Sequence, residues 1–191
     1  MADKKAKLII FTGPSGVGKG TILKEYFSKN KDIDIVYSIS NTTRSPRIGE
    51  KEGVDYFYIS KEEFEELIKK DSFLEWANYS GNYYGTNKAF VDENLKKGKS
   101  VLLEIELQGA IQVMKKCPEA LSIFISPPDF EELKRRLIGR HTEDDSAIQK
   151  RLEAAKAEIK NSDKFQYVIE NDTIENAVKK LSDIFHKELG L

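Results

Sequence analysis

The stretch Lys7-Leu-Ile-Ile-Phe-Thr-Gly-Pro-Ser-Gly-Val-Gly-Lys19-Gly-Thr21 decides the fold. Residues 7–12 form an apolar, β-branched run that stops at a glycine, which reads as a buried strand of a parallel sheet. Gly13, Pro14, Ser15, Gly16, Val17 and Gly18 make a glycine-rich turn ending at Lys19, and 21–31 sets Ile22, Leu23, Tyr26 and Phe27 on one helical stripe. Strand, glycine turn, lysine and helix in that order form a phosphate-binding loop. Backbone N–H groups converge on an anion, the helix behind presents its positive end, and Lys19 reaches the β- and γ-phosphates as a mobile point charge. The residue after the lysine is usually a Ser or Thr that ligates Mg²⁺, but here Gly20 stands there, followed by Thr21. Because Mg²⁺ commonly keeps several waters, it is expected to be held mainly by nucleotide phosphates and water, with Thr21 as a candidate ligand. The loop points to a nucleoside triphosphate and leaves the reaction open.

Outward from this stretch, strands expected at 34–40, 100–106, 121–125 and 167–169 alternate with helices expected at 110–116, 129–138 and 145–159 and a closing amphipathic helix through Ile174, Leu181 and Phe185. That alternation predicts an α/β, three-layer phosphate-loop fold, a parallel core sheet flanked by helices. Strands expected at 56–59, 73–79 and 82–85 lack long crossovers and read as a small mixed-β insertion. Ser60-Lys-Glu-Glu63 fits a capping box, and Thr86 is the expected cap of a helix running to Lys97. With 191 residues the chain suits one domain that buries roughly 70% of its extended surface. A net charge of −1 argues against a polycation for nucleic acid. One cysteine, Cys117, and two histidines, His141 and His186, exclude an internal disulfide and a multi-thiolate or histidine-rich metal centre. No apolar run approaches the length of a membrane helix, and the charged start is unlike a signal peptide. The expected compartment is the cytoplasm.

Ser40-Asn-Thr-Thr-Arg44-Ser-Pro-Arg47 places two arginines three apart in a polar loop that Pro46 stiffens. Guanidinium forks suit phosphate oxygens, and Tyr56 and Tyr84 are further donors. Residues 73–86 crowd five aromatics around Glu75. An ionised carboxylate only accepts hydrogen bonds. Guanine offers two adjacent donors, N1–H and N2–H₂, where adenine offers an acceptor at N1. Such a polar site discriminates by about 10⁴–10⁵, because the wrong base leaves buried groups unpaired. Glu104 and Glu106, two apart on the expected strand, would face one side at its carboxyl end, where ligands bind. Phe73 and Trp76 read as core, Tyr83 as structural, Arg135 and His186 as solvated.

These motifs together make the chain similar to guanylate kinases from about Lys7 to Leu189. The resemblance rests on Gly13–Lys19, Ser40–Arg47, Gly49-Glu-x-x-Gly-x-Asp-Tyr56, Glu75-Trp, Gly81-Asn-Tyr-Tyr-Gly-Thr86, Leu103-Glu-x-x-x-Gln-Gly109 and Gly139-Arg-x-Thr-Glu143. It implies transfer of the γ-phosphoryl group of ATP to GMP, with Mg²⁺ accompanying ATP. Lys19 and the loop from Gly13 to Thr21 would hold the ATP phosphates, and Asn171 matches a segment near the adenine. Arg44, Arg47, Tyr56 and Tyr84 would hold the GMP phosphate. Ser40, Glu75 and Thr86 would read guanine beside Glu104 and Glu106. Arg136, Arg140 and Arg151 match lid arginines, which with Lys19 and Arg44 complete the candidate catalytic set. The implied organisation is a single domain, 1–191, with a core of 1–40, 98–134 and 162–191, a GMP-binding insertion at 41–97 and a lid at 135–161. The expected partners are ATP and GMP, with neither nucleic acid nor membrane, in a monomer or homodimer. Glu106 stands where the family usually has Asp, and His141 where a Gly is common.

Two other readings share parts of this sequence. Guanylate-kinase-like domains of junctional scaffolds bind peptides without catalysis, but they are expected to carry a damaged phosphate loop and extra domains. A kinase for another small acceptor is opposed by Ser40, Glu75 and Thr86, and left open by Glu106.

Overall fold

Leu8–Thr12 (β1) is buried at every position, as an uninterrupted apolar run in a central strand requires. The computed structural model describes residues 6–79, 81–138 and 145–191. After β1 come α1 (Lys19–Lys29), β2 (Ile35–Tyr37), β3 (Asn41–Thr42), β4 (Phe57–Tyr58), α2 (Lys61–Lys69), β5 (Phe73–Tyr79), β6 (Asn82–Asn87) and α3 (Lys88–Lys96). Then follow β7 (Ser100–Glu104), α4 (Leu107–Lys116), β8 (Leu121–Ser126), α5 (Phe130–Ile138), α6 (Asp145–Ile159), β9 (Tyr167–Glu170) and α7 (Ile174–Leu189). One sheet has five strands in the order β2-β7-β1-β8-β9, and the pairs β2–β7 and β8–β9 are parallel. This is the expected α/β class. The chain divides into two compact units: Phe11–Ile33 with Leu121–Leu191, and 6–10 with Asp34–Ala120.

In the first unit α1 and α7 pack through Tyr26, which meets Phe185 edge-on at 5.2 Å. Thr173 caps α7 by accepting from the Asn176 amide at 3.2 Å, and Gly190 closes it with a φ of 65°. In the second unit a four-stranded sheet runs β4-β3-β6-β5, with β3 parallel to β4 and the other pairs antiparallel. The mixed sheet is as expected, but it also recruits β3 from the polar segment after Ser40. Its two faces separate with the period of a strand. Trp76 pairs with Gly85 and Tyr83 stacks on Phe64 of α2 at 5.2 Å, while Glu75 and Ala77 lie opposite Thr86 and Tyr84. A Cβ on Gly85 would meet Phe64 and Phe73 at 2.9 Å, so this close approach needs a glycine. Ser60 caps α2 through the Glu63 amide, as its sequence predicts.

Three expectations change. Thr86 does not cap α3: it belongs to β6, and Asn87 accepts from the Phe90 amide at 3.1 Å instead. The strand expected to reach Glu106 stops at Glu104, because α4 starts at Leu107 with Glu106 as its capping residue. Trp76 is 36% exposed while Phe73 is 3% exposed, because Phe64 of α2 covers Phe73, whereas Trp76 meets the Tyr83 ring edge-on. Among the described residues no helix is long and apolar enough to cross a membrane.

Phe64 is fully buried between Phe73, stacked at 4.4 Å, and Tyr83. Phe64→Ala is expected to cost about 3–5 kcal/mol, by lost burial plus the cavity left behind. Urea unfolding measures it, and a loss below about 1 kcal/mol would remove this cluster from the centre of the second unit.

Candidate active site

In the first unit the turn after β1 is shaped by sterics. A Cβ on Gly13 would overlap the Ile125 carbonyl oxygen, so the chain passes β8 only because that side chain is missing. Gly18, at φ 97° and ψ 19°, starts α1 from the left-handed region that glycine occupies freely. No side chain caps α1 and its first turn carries no acid, which leaves its positive end for an anion from outside. Lys19 Nζ donates to the carbonyls of Gly13 at 2.6 Å and Pro14 at 3.3 Å, so the lysine folds back over its own loop.

The same loop is braced from three directions. The buried Asn171 amide donates to the Val17 carbonyl at 2.7 Å, and its Oδ1 has no partner among the described residues. The Arg136 guanidinium donates to the carbonyls of Asn171 at 3.2 Å and Val17 at 3.5 Å, and pairs with Glu132 at 2.8 Å. Arg151 donates to the Ser15 hydroxyl. Thus Lys19, Arg136, Arg151 and Asn171 all gather on Gly13–Lys19 in this unit. Gly20 and Thr21 are exposed. Arg140 and His141 lie outside the described residues. Arg135 is solvated, with its side chain 73% exposed beside Glu132.

The second unit holds a small cavity of about 30 Å³ lined by Ser40, Tyr56, Glu75, Tyr84, Glu104 and Glu106, with Ala77 and Ile105. Glu75 is 3% exposed, and its Oε1 accepts from the Thr86 hydroxyl at 2.6 Å. That bond follows from register, because the two residues face each other on β5 and β6. Burial pushes the Glu75 carboxyl up to about 7, against the pull of Thr86 and Lys116 and with help from Glu106. The first turn of α4 comes so close that a Cβ on Gly109 would overlap Glu75 Oε2. Glu106 does not cap α4 with its side chain, and its buried Oε2 has no partner among the described residues. The ring of Tyr56 meets that of Tyr84 at 5.9 Å. Burial, first of all, pushes the Tyr56 phenol up to about 12, so it is a donor at neutral pH.

Arg44 forms a two-pronged pair with Glu50, NH1 to Oε2 at 3.0 Å and NH2 to Oε1 at 2.9 Å, and lies over the Tyr56 ring at 5.3 Å. Glu50 also accepts from the Arg47 amide at 2.7 Å and the Tyr58 hydroxyl at 2.9 Å. The Arg44 bond chiefly pulls the Glu50 carboxyl down to about 2. Arg47 itself is exposed. Sequence reasoning does not single out Glu50, Tyr58 or Tyr37. Glu50 lies inside the quoted Gly49-Glu motif, whereas nothing local marks Tyr37, whose hydroxyl donates to Glu104 Oε2 at 2.7 Å across β2 and β7.

A family model described as guanylate kinase matches residues 5–188. The chain is 52% identical over 184 residues to a guanylate kinase of Bacillus cereus, covering 96% of this chain and 89% of that protein. It is 51% identical over 181 residues to the guanylate kinase of Bacillus subtilis (strain 168), covering 95% and 88%. It is also similar to the crystal structure of guanylate kinase from Anaplasma phagocytophilum, with a TM-score of 0.79 and 35% identity over 97% of this chain and 87% of that one. Matched along nearly its whole length by the family and by relatives at half identity, the chain belongs to the guanylate kinases and transfers the γ-phosphoryl group of ATP to GMP, giving ADP and GDP.

Proposed function

We propose that GMP is read in the cavity around Glu75 and that ATP is held by the loop from Gly13 to Thr21. The observation that carries the first half is a carboxyl group 3% exposed, met by one side-chain hydroxyl and facing a cavity with acceptors on its other walls. A site rich in acceptors suits a base edge rich in donors, and guanine N1–H and N2–H₂ supply two. Thr86 and Ser40 add hydroxyls that both donate and accept. About 30 Å³ of this space holds about two waters. Arg44, preset by Glu50, with Arg47, Tyr56 and Tyr84 would take the GMP phosphate.

On the donor side, Lys19 would exchange its two carbonyl partners for the β- and γ-phosphate oxygens. Arg136 and Arg151, from the proposed lid at 135–161, would stabilise charge on the transferring group, with Arg140 as the third of that set. Mg²⁺ is a hard cation that seeks oxygen, and the exposed Thr21 hydroxyl fits it beside the phosphates and waters. Among the described residues no group of three or more His, Cys, Asp or Glu is assembled for a metal. When bound, the ion would neutralise phosphate charge. The GMP phosphate is already a competent nucleophile, so no general base is needed, and alignment, charge stabilisation and exclusion of water carry the rate. We infer a cytoplasmic location.

Lys19→Met is expected to lower kcat by about 10²–10³ with the fold intact, measured by coupled ADP release. A loss below about threefold would contradict the loop assignment. A second outcome follows from protonation. Guanine donors need the Glu75 carboxylate, and its carboxyl in the free protein titrates at about 7. The GMP KM should therefore fall roughly tenfold between pH 6 and pH 8 beyond the change due to the GMP phosphate itself. Glu75→Gln should raise the GMP KM far more than the ATP KM and lack this extra pH component. Equal weakening of both substrates would make Glu75 a support of the fold.

A further inference from the structure

We propose that Tyr37 is a positioning residue for GMP recognition, its hydroxyl holding the Glu104 carboxylate at the wall of the cavity. The inference rests on the reading of that cavity as the GMP site. Tyr37 is the last residue of β2 and pairs with Leu102 of β7, two residues before Glu104. Its Oη donates to Glu104 Oε2 at 2.7 Å. The other oxygen of Glu104 has no protein donor among the described residues.

Glu75, Glu104 and Glu106 line one cavity, and among the described residues no ion pair reaches any of them. Three carboxylates together repel one another. The half-buried Glu104, at the end of a strand, could relieve that repulsion by turning to solvent. A lysine or arginine would hold it in place but would also compete for the acceptors that guanine needs. A neutral hydroxyl fixes one oxygen and leaves the negative charge available. Tyr37 suits this role for a second reason. Burial followed by the Glu104 charge drives the Tyr37 phenol well above its ordinary value. It therefore stays a donor across the working pH range. The groups facing Glu104 from neighbouring elements are Tyr37 on β2, Tyr56 before β4, Glu75 on β5, Tyr84 on β6 and Glu106 before α4. Of these only Tyr37 has a hydrogen bond to Glu104.

The test compares Tyr37→Phe, Glu104→Ala and the double variant in the coupled ADP-release assay with Mg²⁺, ATP and GMP. Tyr37→Phe keeps the ring and removes only the donor. It is expected to raise the GMP KM about fivefold, the scale of one hydrogen bond to a charged acceptor partly replaced by water. The ATP KM and kcat should stay within about twofold. In the Glu104→Ala background the same change should have no further effect on the GMP KM, because the partner is gone. A GMP KM within about twofold of the parent for Tyr37→Phe, with Glu104→Ala raised, overturns the proposal and leaves the cavity reading standing. Independent, multiplying effects in the double variant also overturn it, because Tyr37 would then act without Glu104. No change in either single variant overturns both the proposal and the assignment of Glu104 to the GMP site.

Discussion

A carboxyl group with no ion pair among the described residues, enclosed until only 3% of its residue is exposed, is the constraint around which the second unit is built. Burying Glu75 is unfavourable in its charged form. The surroundings limit that cost through placement. Antiparallel register sets the Thr86 hydroxyl opposite it, and Gly109 lets the first turn of α4, the positive end of that helix, come within contact of Oε2. The same α4 starts after Glu106, whose buried Oε2 has no partner among the described residues. An unsatisfied acceptor in a native interior is costly unless a ligand completes it. Strand register, helix start and missing side chain at Gly109 thus converge on one pocket lined by three carboxyl groups, which the proposed function fills with a base that brings donors.

The first unit solves the opposite problem. Its proposed ligand is an anion, for which it offers backbone N–H groups, a helix start without a side-chain cap and Lys19. A loop of such groups would be soft without support. Asn171, Arg136 and Arg151 supply it by bonding the Val17 carbonyl and the Ser15 hydroxyl. Two of these residues are arginines drawn from α5 and α6, so the side chains proposed to meet the transferring phosphoryl group also hold the shape of its cradle. Arg44 and Glu50 repeat the device: the carboxylate aims the guanidinium and ties the Arg47 amide and Tyr58 hydroxyl into one loop.

What is legible in the sequence is what local pattern controls. The strand, glycine turn and helix around Lys19 and the capping box at Ser60 express near-neighbour sterics and periodicity. What is not legible depends on pairings distant in the chain. Thr86 reads as a helix cap, because a Thr before a helix usually is one, yet the register with Glu75 claims its hydroxyl and passes the cap to Asn87. Glu106 reads as a strand residue, because nothing in 100–106 announces where α4 begins. Trp76 reads as core, because size alone says nothing about which face of a sheet is covered. Glu50 is visible only as part of a motif, and Tyr37 is not visible at all, since its partner lies 67 residues away.

The central claim is that the buried carboxyl cluster selects the acceptor by its base. The most direct measurement is ADP release from ATP and Mg²⁺ with GMP, AMP, CMP and UMP offered separately at equal concentration. The account predicts turnover with GMP and, for the other three, rates lower by at least about 10³, because each leaves Glu75 facing an unmatched base edge. Comparable turnover with AMP would contradict it, since adenine sets an acceptor against that carboxylate.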